Sequence, residues 1–135
     1  MAELGRWGIE GRFGVIDFKP LQRATFVGLV LQIAMYALGH YSDWVQANVF
    51  GFGGMMISAS AGYLYAMDRG RGWFASATGG AIAGGICGLA GIALSVLLGD
   101  TVQSFIATGA TISVFVGAVG GVFGQMAANL RAIGR

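Results

Sequence analysis

Long stretches of this chain carry no ionisable residue. No Asp, Glu, Lys, Arg or His lies in residues 24–39, 44–67, 72–99 or 101–130. Proton relays, ion-coupled pumps and voltage sensors work through acids, bases or arginines placed within the membrane, so those functions are excluded. Cysteine is nearly absent: Cys87 stands alone inside an apolar run, and neither a disulfide framework nor a paired-thiol metal site can form within one chain. Histidine is equally scarce. His40 by itself cannot supply two axial ligands to a haem, and with Asp43 it forms an H-x-x-D pair that would bind a metal only if several copies converged. An ordinary solvated loop is the expectation there. No Ser–His–Asp or Cys–His set is assembled, because Cys87 lies mid-run while His40 and Asp100 belong to loops. The Gly-rich segments lack the Lys-[ST] of a phosphate-cradling loop. The sequence therefore predicts no enzyme, no cofactor and no metal.

What the chain has in abundance is apolar surface. Hydrophobic residues make up 56% and charged residues 10%, too few charges to coat a water-facing globule of this size. Four apolar runs, at about 22–40, 45–67, 73–98 and 102–128, approach or exceed the ~20 residues needed to cross the hydrocarbon core. Helices are the expected spanning form because lipid offers backbone groups no partner. The dyad alternation of a membrane β-barrel is missing. The expected fold is an all-α integral membrane protein of four transmembrane helices in two hairpins. Residues 1–20 form a cytoplasmic interfacial arm, 21–130 the four-helix domain and 131–135 a tail.

All eight basic residues fall on one side of this map. Arg6, Arg12, Lys19 and Arg23 precede the first run, Arg69 and Arg71 separate the second and third, and Arg131 and Arg135 follow the fourth. The two other connections hold only His40, Asp43 and Asp100. Short loops rich in Lys and Arg stay cytoplasmic, which predicts both termini inside, in a membrane such as the bacterial inner membrane. Cations split among three short segments form no nucleic-acid footprint. Residues 1–20 lack a continuous apolar core and an A-x-A site, so no signal cleavage is expected.

Weak internal similarity suggests a tandem two-helix repeat. Leu38-Gly39-His40 aligns with Leu98-Gly99-Asp100, and Gly62 and Met67 align with Gly121 and Met126. Duplicated two-span units would be related by an axis along the membrane normal.

Glycine, at 25 residues, is the second abundance. Gly54, Ser58 and Gly62 recur every four residues in the second run, as do Gly80, Gly84 and Gly88 in the third and Gly109, Ser113, Gly117 and Gly121 in the fourth. Spacing of four draws one stripe along a helix, and small stripes let helix backbones approach closely in lipid. Two of the three suffice for a compact bundle, so a leftover stripe is expected to contact further copies or a larger membrane complex. The first run has bulky aliphatics around Gly28 and is assigned to the periphery.

Among uncharged polar residues, Gln32 stands mid-run, where an unpaired amide is costly. An interhelical hydrogen bond is the expected solution; the alternative is a polar path through Gln32, Asn48, Thr108 and Gln125. Ser and Thr can return their hydroxyls to the preceding turn. The arm has glycine at positions 5, 8, 11 and 14 and mixes aromatics with cations, so Trp7, Arg12, Phe13, Phe18 and Lys19 are expected to anchor at the interface or dock on a neighbouring subunit.

Phe26-Val27-Gly28 opening the first helix and Ala47-Asn48 opening the second resemble small four-span proteins of the GtrA-like type. That resemblance implies a link to translocation of lipid-carried sugars. It covers a few positions of the first half, and the Gly-rich second half departs from it, so no site residue is carried over. Taken together, these features favour a non-enzymatic membrane subunit packing through its stripes against itself or a larger complex. An oligomeric channel or transporter for an uncharged or lipid-linked solute is the second expectation. A pigment- or lipid-binding accessory role, with His40 as a lone ligand, is the third.

Overall fold

The computed structural model describes residues 16–67 and 72–135. Among these residues all regular structure is helical: α1 (Phe18–His40), α2 (Asp43–Asn48), α3 (Phe50–Met67), α4 (Trp73–Leu97) and α5 (Phe105–Ile133). Helices α1, α4 and α5 are long and apolar enough to cross a membrane.

The expected second span, 45–67, is not one helix. It breaks at Val49, whose backbone (φ −109°, ψ −31°) ends α2, and at 1.5 Å per residue the 18 residues of α3 reach only ~27 Å. Three local causes act together. The Ser42 hydroxyl caps α2 by accepting from Val45 N, and the Asn48 side chain donates back to Trp44 O, closing α2 on itself. Gly51, Gly53 and Gly54 then weaken helix continuity. Finally, the Phe50 ring seats against Gly39 and meets the Tyr36 ring edge-on at 4.5 Å.

Other boundaries shift by a few residues. Helix α1 starts at Phe18, placing Pro20 within the first turn, where a missing N–H costs nothing. Helix α5 starts later and runs through Arg131 to Ile133, so the expected tail at 131–135 is mostly helix. Its late start has a reason: Gly99 adopts φ +81° to turn the chain, and Ser95 pairs with Thr101, extending the loop through Ser104.

Helices α3, α4 and α5 form a close three-way bundle, and α1 lies outside it against α3 and α4 without touching α5. The two halves therefore do not pack interchangeably, since α3 meets α4 but α1 does not meet α5.

The glycine stripes meet one another within the chain. A Cβ on Gly62 would strike the Gly117 carbonyl, and one on Gly117 would strike the Gly80 carbonyl and lie 2.8 Å from Gly84 Cα. Gly120 and Gly124 approach the carbonyls of Ala59 and Tyr63 in the same way. The stripes of α3, α4 and α5 thus meet over part of their length, at Gly62, Gly80, Gly84, Gly117 and Gly121. The glycines of α1 instead meet side chains, Gly28 against Cys87 and Ala61 and Gly39 against Phe50. By contrast, nothing lies within 4 Å of a Cβ built on Gly51. Gly51→Ala is expected to leave stability unchanged or raise it by up to about 1 kcal/mol through helix propensity. Unfolding by SDS titration in mixed micelles checks this, and a clear loss would show the position is not open.

Candidate functional site

The helices fix two chemically different ends. Lys19, Arg23, Arg131 and Arg135 lie at the end where α1 starts and α5 finishes, whereas His40, Asp43 and Asp100 lie at the opposite end. At the second end, His40 Nδ1 pairs with the Asp100 carboxylate (3.1 Å to Oδ2) and Gln46 Nε2 donates to the Asp100 carbonyl at 3.1 Å. The partner of His40 is therefore Asp100, sixty residues away, where the sequence predicts an ordinary solvated loop. These bonds tie α1, α2 and the α4–α5 loop into one clasp.

Beneath the clasp is a cavity of about 330 Å³. Its lining includes Gln32 and Tyr36 of α1, Phe50, Gly51, Gly54 and Met55 of α3, Gly88 and Ile92 of α4, and Thr101, Phe105, Thr108, Gly109, Ile112 and Ser113 of the α5 side. Gln32, Tyr36, Gly54, Gly88 and Ser113 are buried and make the floor. Gly51, Met55, Phe105, Thr108 and Ile112 are exposed and make a rim between α3 and α5. The opening therefore faces sideways, along the apolar flank of the bundle. It exists because glycine-to-backbone contact between α3 and α5 stops near Gly117. Beyond that point Met55, Ile112 and Phe105 border the open side.

The floor carries three polar side chains, Gln32, Tyr36 and Ser113, of which Gln32 and Tyr36 are neighbours on α1. Gln32 is 1% exposed; its Nε2 donates to Gly54 O at 3.2 Å, which is the interhelical bond expected for it. Its Oε1 has no partner, and the same is true of Thr25 Oγ1 and Ser58 Oγ among the described residues. One turn on, Tyr36 is 6% exposed, with its hydroxyl 3.6 Å from a Cβ built on Gly54. No hydrogen bond reaches that hydroxyl from the described residues. Residues four apart share a helix face, and Gln32 and Tyr36 both line the cavity, with Gln32 Oε1 3.0 Å from a Cβ built on Gly91 of α4. Among the described residues no charged side chain lines the space.

The four residues of the expected polar path separate. Gln32 and Thr108 line the cavity, but Asn48 is exposed and bonded within α2, and Gln125 lies towards the opposite end. There Gln125 Oε1 accepts from Ser76 Oγ (2.7 Å) and Gly72 N (3.1 Å), while its Nε2 donates to Asn129. Gln125 acts as a tertiary cap for α4, whose own N-cap residue, Gly72, has no side chain to do so. Ser60, Thr78 and Thr111 return their hydroxyls to the carbonyls four residues back. Cys87 Sγ, fully buried, donates to Thr25 O at 3.4 Å.

Of the expected small-residue positions, Gly54, Gly88, Gly109 and Ser113 border the cavity, whereas Ser58, Gly62, Gly80, Gly84, Gly117 and Gly121 are buried in helix contacts. Of the expected anchor, Trp7, Arg12 and Phe13 lie outside the described residues, as do Arg69 and Arg71; Phe18 and Lys19 are exposed in the first turn of α1. Sequence reasoning does not single out Tyr36, although its spacing from Gln32 is a readable signal.

No protein-family model matches this chain, and neither a curated protein nor a solved structure does. The GtrA-like resemblance gains no support from a family match.

Proposed function

We propose that this protein is a non-enzymatic integral membrane carrier or binding protein that admits an uncharged, largely apolar solute from the bilayer into the cavity between α3 and α5. The observation carrying this reading is the exposed rim on α3 and α5: a space without charged lining among the described residues, bordered on its open side by Met55, Phe105 and Ile112. Small-molecule sites are concave, mainly apolar and furnished with a few polar groups, which describes this floor. In this reading α2 and α3 together complete a fourth span, the cation-bearing end is cytoplasmic, both termini are inside, and the cavity occupies the outer half. A bacterial inner membrane suits that orientation. Association with a larger complex through the glycine stripes has less to rest on, because those stripes face one another within the chain. Nor do the polar residues favour an aqueous channel, since Asn48 and Gln125 lie away from the cavity.

The test uses the full chain in lipid nanodiscs and hexylbenzene as probe, dosed as a mole fraction of lipid. Saturable binding at one site per chain, shifting the methyl signals of Thr108 and Ile112, is the expected result. Gly54→Leu, which projects a side chain into the space from a position with only ordinary contacts around its Cβ, is expected to remove that saturable component. Unsaturable partitioning, identical in the wild type and the Gly54→Leu protein, would overturn the reading.

A further inference from the structure

On the proposal that the cavity is a binding site, three of its features together specify more than an apolar solute. The first is size. At about 330 Å³ it is roughly twice the ~150 Å³ cavity that holds a benzene molecule, room for on the order of a dozen non-hydrogen atoms. That suits one substituted ring and is too small for a whole lipid. The second is the walls: the Tyr36 and Phe50 rings, held edge-on to each other at 4.5 Å, and Phe105 at the rim. Aromatic side chains favour offset or edge contacts with a further ring. The third is polarity. The Tyr36 hydroxyl and the Gln32 carboxamide belong to neighbouring residues on one face of α1, and both residues line the cavity. Gln32 Oε1 is buried without a partner, and no hydrogen bond joins the Tyr36 hydroxyl to the described residues. Buried polar groups in native proteins are ordinarily paired, so an unused acceptor beside an unbonded hydroxyl in one space points to a partner outside the chain.

We infer that the cavity binds the head of a ring-bearing lipid, a neutral phenol- or quinone-type ring whose oxygen meets the Tyr36 hydroxyl while its apolar tail leaves between α3 and α5 into the bilayer. Neutrality follows from the lining, which has no charge to offset a buried ion. The tail's route follows from the rim: Met55 and Ile112 flank the opening on the lipid side. No bond is made or broken in this binding. The ring is held by edge contacts and one hydrogen bond, with the clasp of His40, Gln46 and Asp100 roofing the site.

The experiment compares 4-hexylphenol, hexylbenzene and 1-dodecanol in nanodiscs containing the full chain, each dosed as a mole fraction of lipid. One hydrogen bond formed in a dry site corresponds to about tenfold in affinity. Hexylphenol is therefore expected to bind about tenfold more tightly than hexylbenzene, and dodecanol to compete weakly. Tyr36→Phe keeps the ring and removes the hydroxyl; it is expected to erase the phenol preference, so that hexylphenol binds no more tightly than hexylbenzene. Equal binding of hexylphenol and hexylbenzene by the wild type would overturn this inference while leaving the cavity as a site. So would dodecanol outcompeting hexylphenol, or a phenol preference that survives Tyr36→Phe. Failure of all three probes to bind saturably would overturn the carrier reading itself.

Discussion

Gly117→Leu is expected to destroy the packed bundle. A Cβ at this position meets the Gly80 carbonyl and approaches Gly84 Cα to 2.8 Å, and both are helix backbone. Backbone cannot rotate out of the way as a flexible side chain does, so α4 and α5 must separate along their whole shared line. The loss spreads, because Gly62 of α3 rests on the carbonyl of Gly117 and must move with it. Overpacking ordinarily costs ~1–3 kcal/mol where side chains can yield; here the cost should reach or pass the top of that range. In lipid, no hydrophobic force between helices compensates for lost close packing. The unfolding free energy from SDS titration in mixed micelles measures it directly. A change within about 0.5 kcal/mol would mean the three backbones do not meet at Gly117. The oligomeric state in detergent gives an independent reading: lost stability without a change in oligomer size is the signature of an internal stripe.

Gln125→Leu is expected to cost about 2 kcal/mol, although leucine matches glutamine roughly in bulk. Its Oε1 serves two donors from the α4 end, Ser76 Oγ and Gly72 N, and Ser76 is only 1% exposed. Removing the acceptor orphans a buried hydroxyl and takes away the tertiary cap of α4. Gly72, at φ +103°, is held in a backbone conformation that a side chain rarely adopts, so no simple substitution there rebuilds a cap. Exposure of Gly72 lets water satisfy its N–H in part, and most of the cost should come from Ser76. A double-mutant cycle separates the terms. Ser76→Ala in the Gln125→Leu background should cost little, giving a coupling of about 1 kcal/mol or more. Full additivity of the two substitutions would show that the cap contributes nothing.

How much of the fold and the site is legible in the sequence depends on the kind of interaction. Apolar runs, missing ionisable residues and small-residue stripes are periodic, local features, so the helical, membrane-type character and the tight glycine faces can be read from spacing alone. The expectation of a hydrogen bond for Gln32 is equally local, because an amide mid-run must find a partner. The break at Val49 is harder. Each cause is weak alone: a Ser42 cap, the Asn48 side chain bonding back, three glycines and a ring seated on Gly39. Only their sum decides the helix end.

Composition and period, which belong to single segments, are enough to say which stretches must be helical and lipid-compatible, where the cations gather, and which chemistries are absent. Distances between segments are not encoded in any one of them, and those came from the packing. It set Gly62, Gly80, Gly84, Gly117 and Gly121 against one another and paired His40 with Asp100, sixty residues away. It also split the expected polar path, sending Gln125 to cap α4 and keeping Gln32 and Thr108 at the cavity. The cavity has no signature in any one helix. It arises where the glycine-to-backbone contacts between α3 and α5 stop, and Met55, Ile112 and Phe105 border its open side.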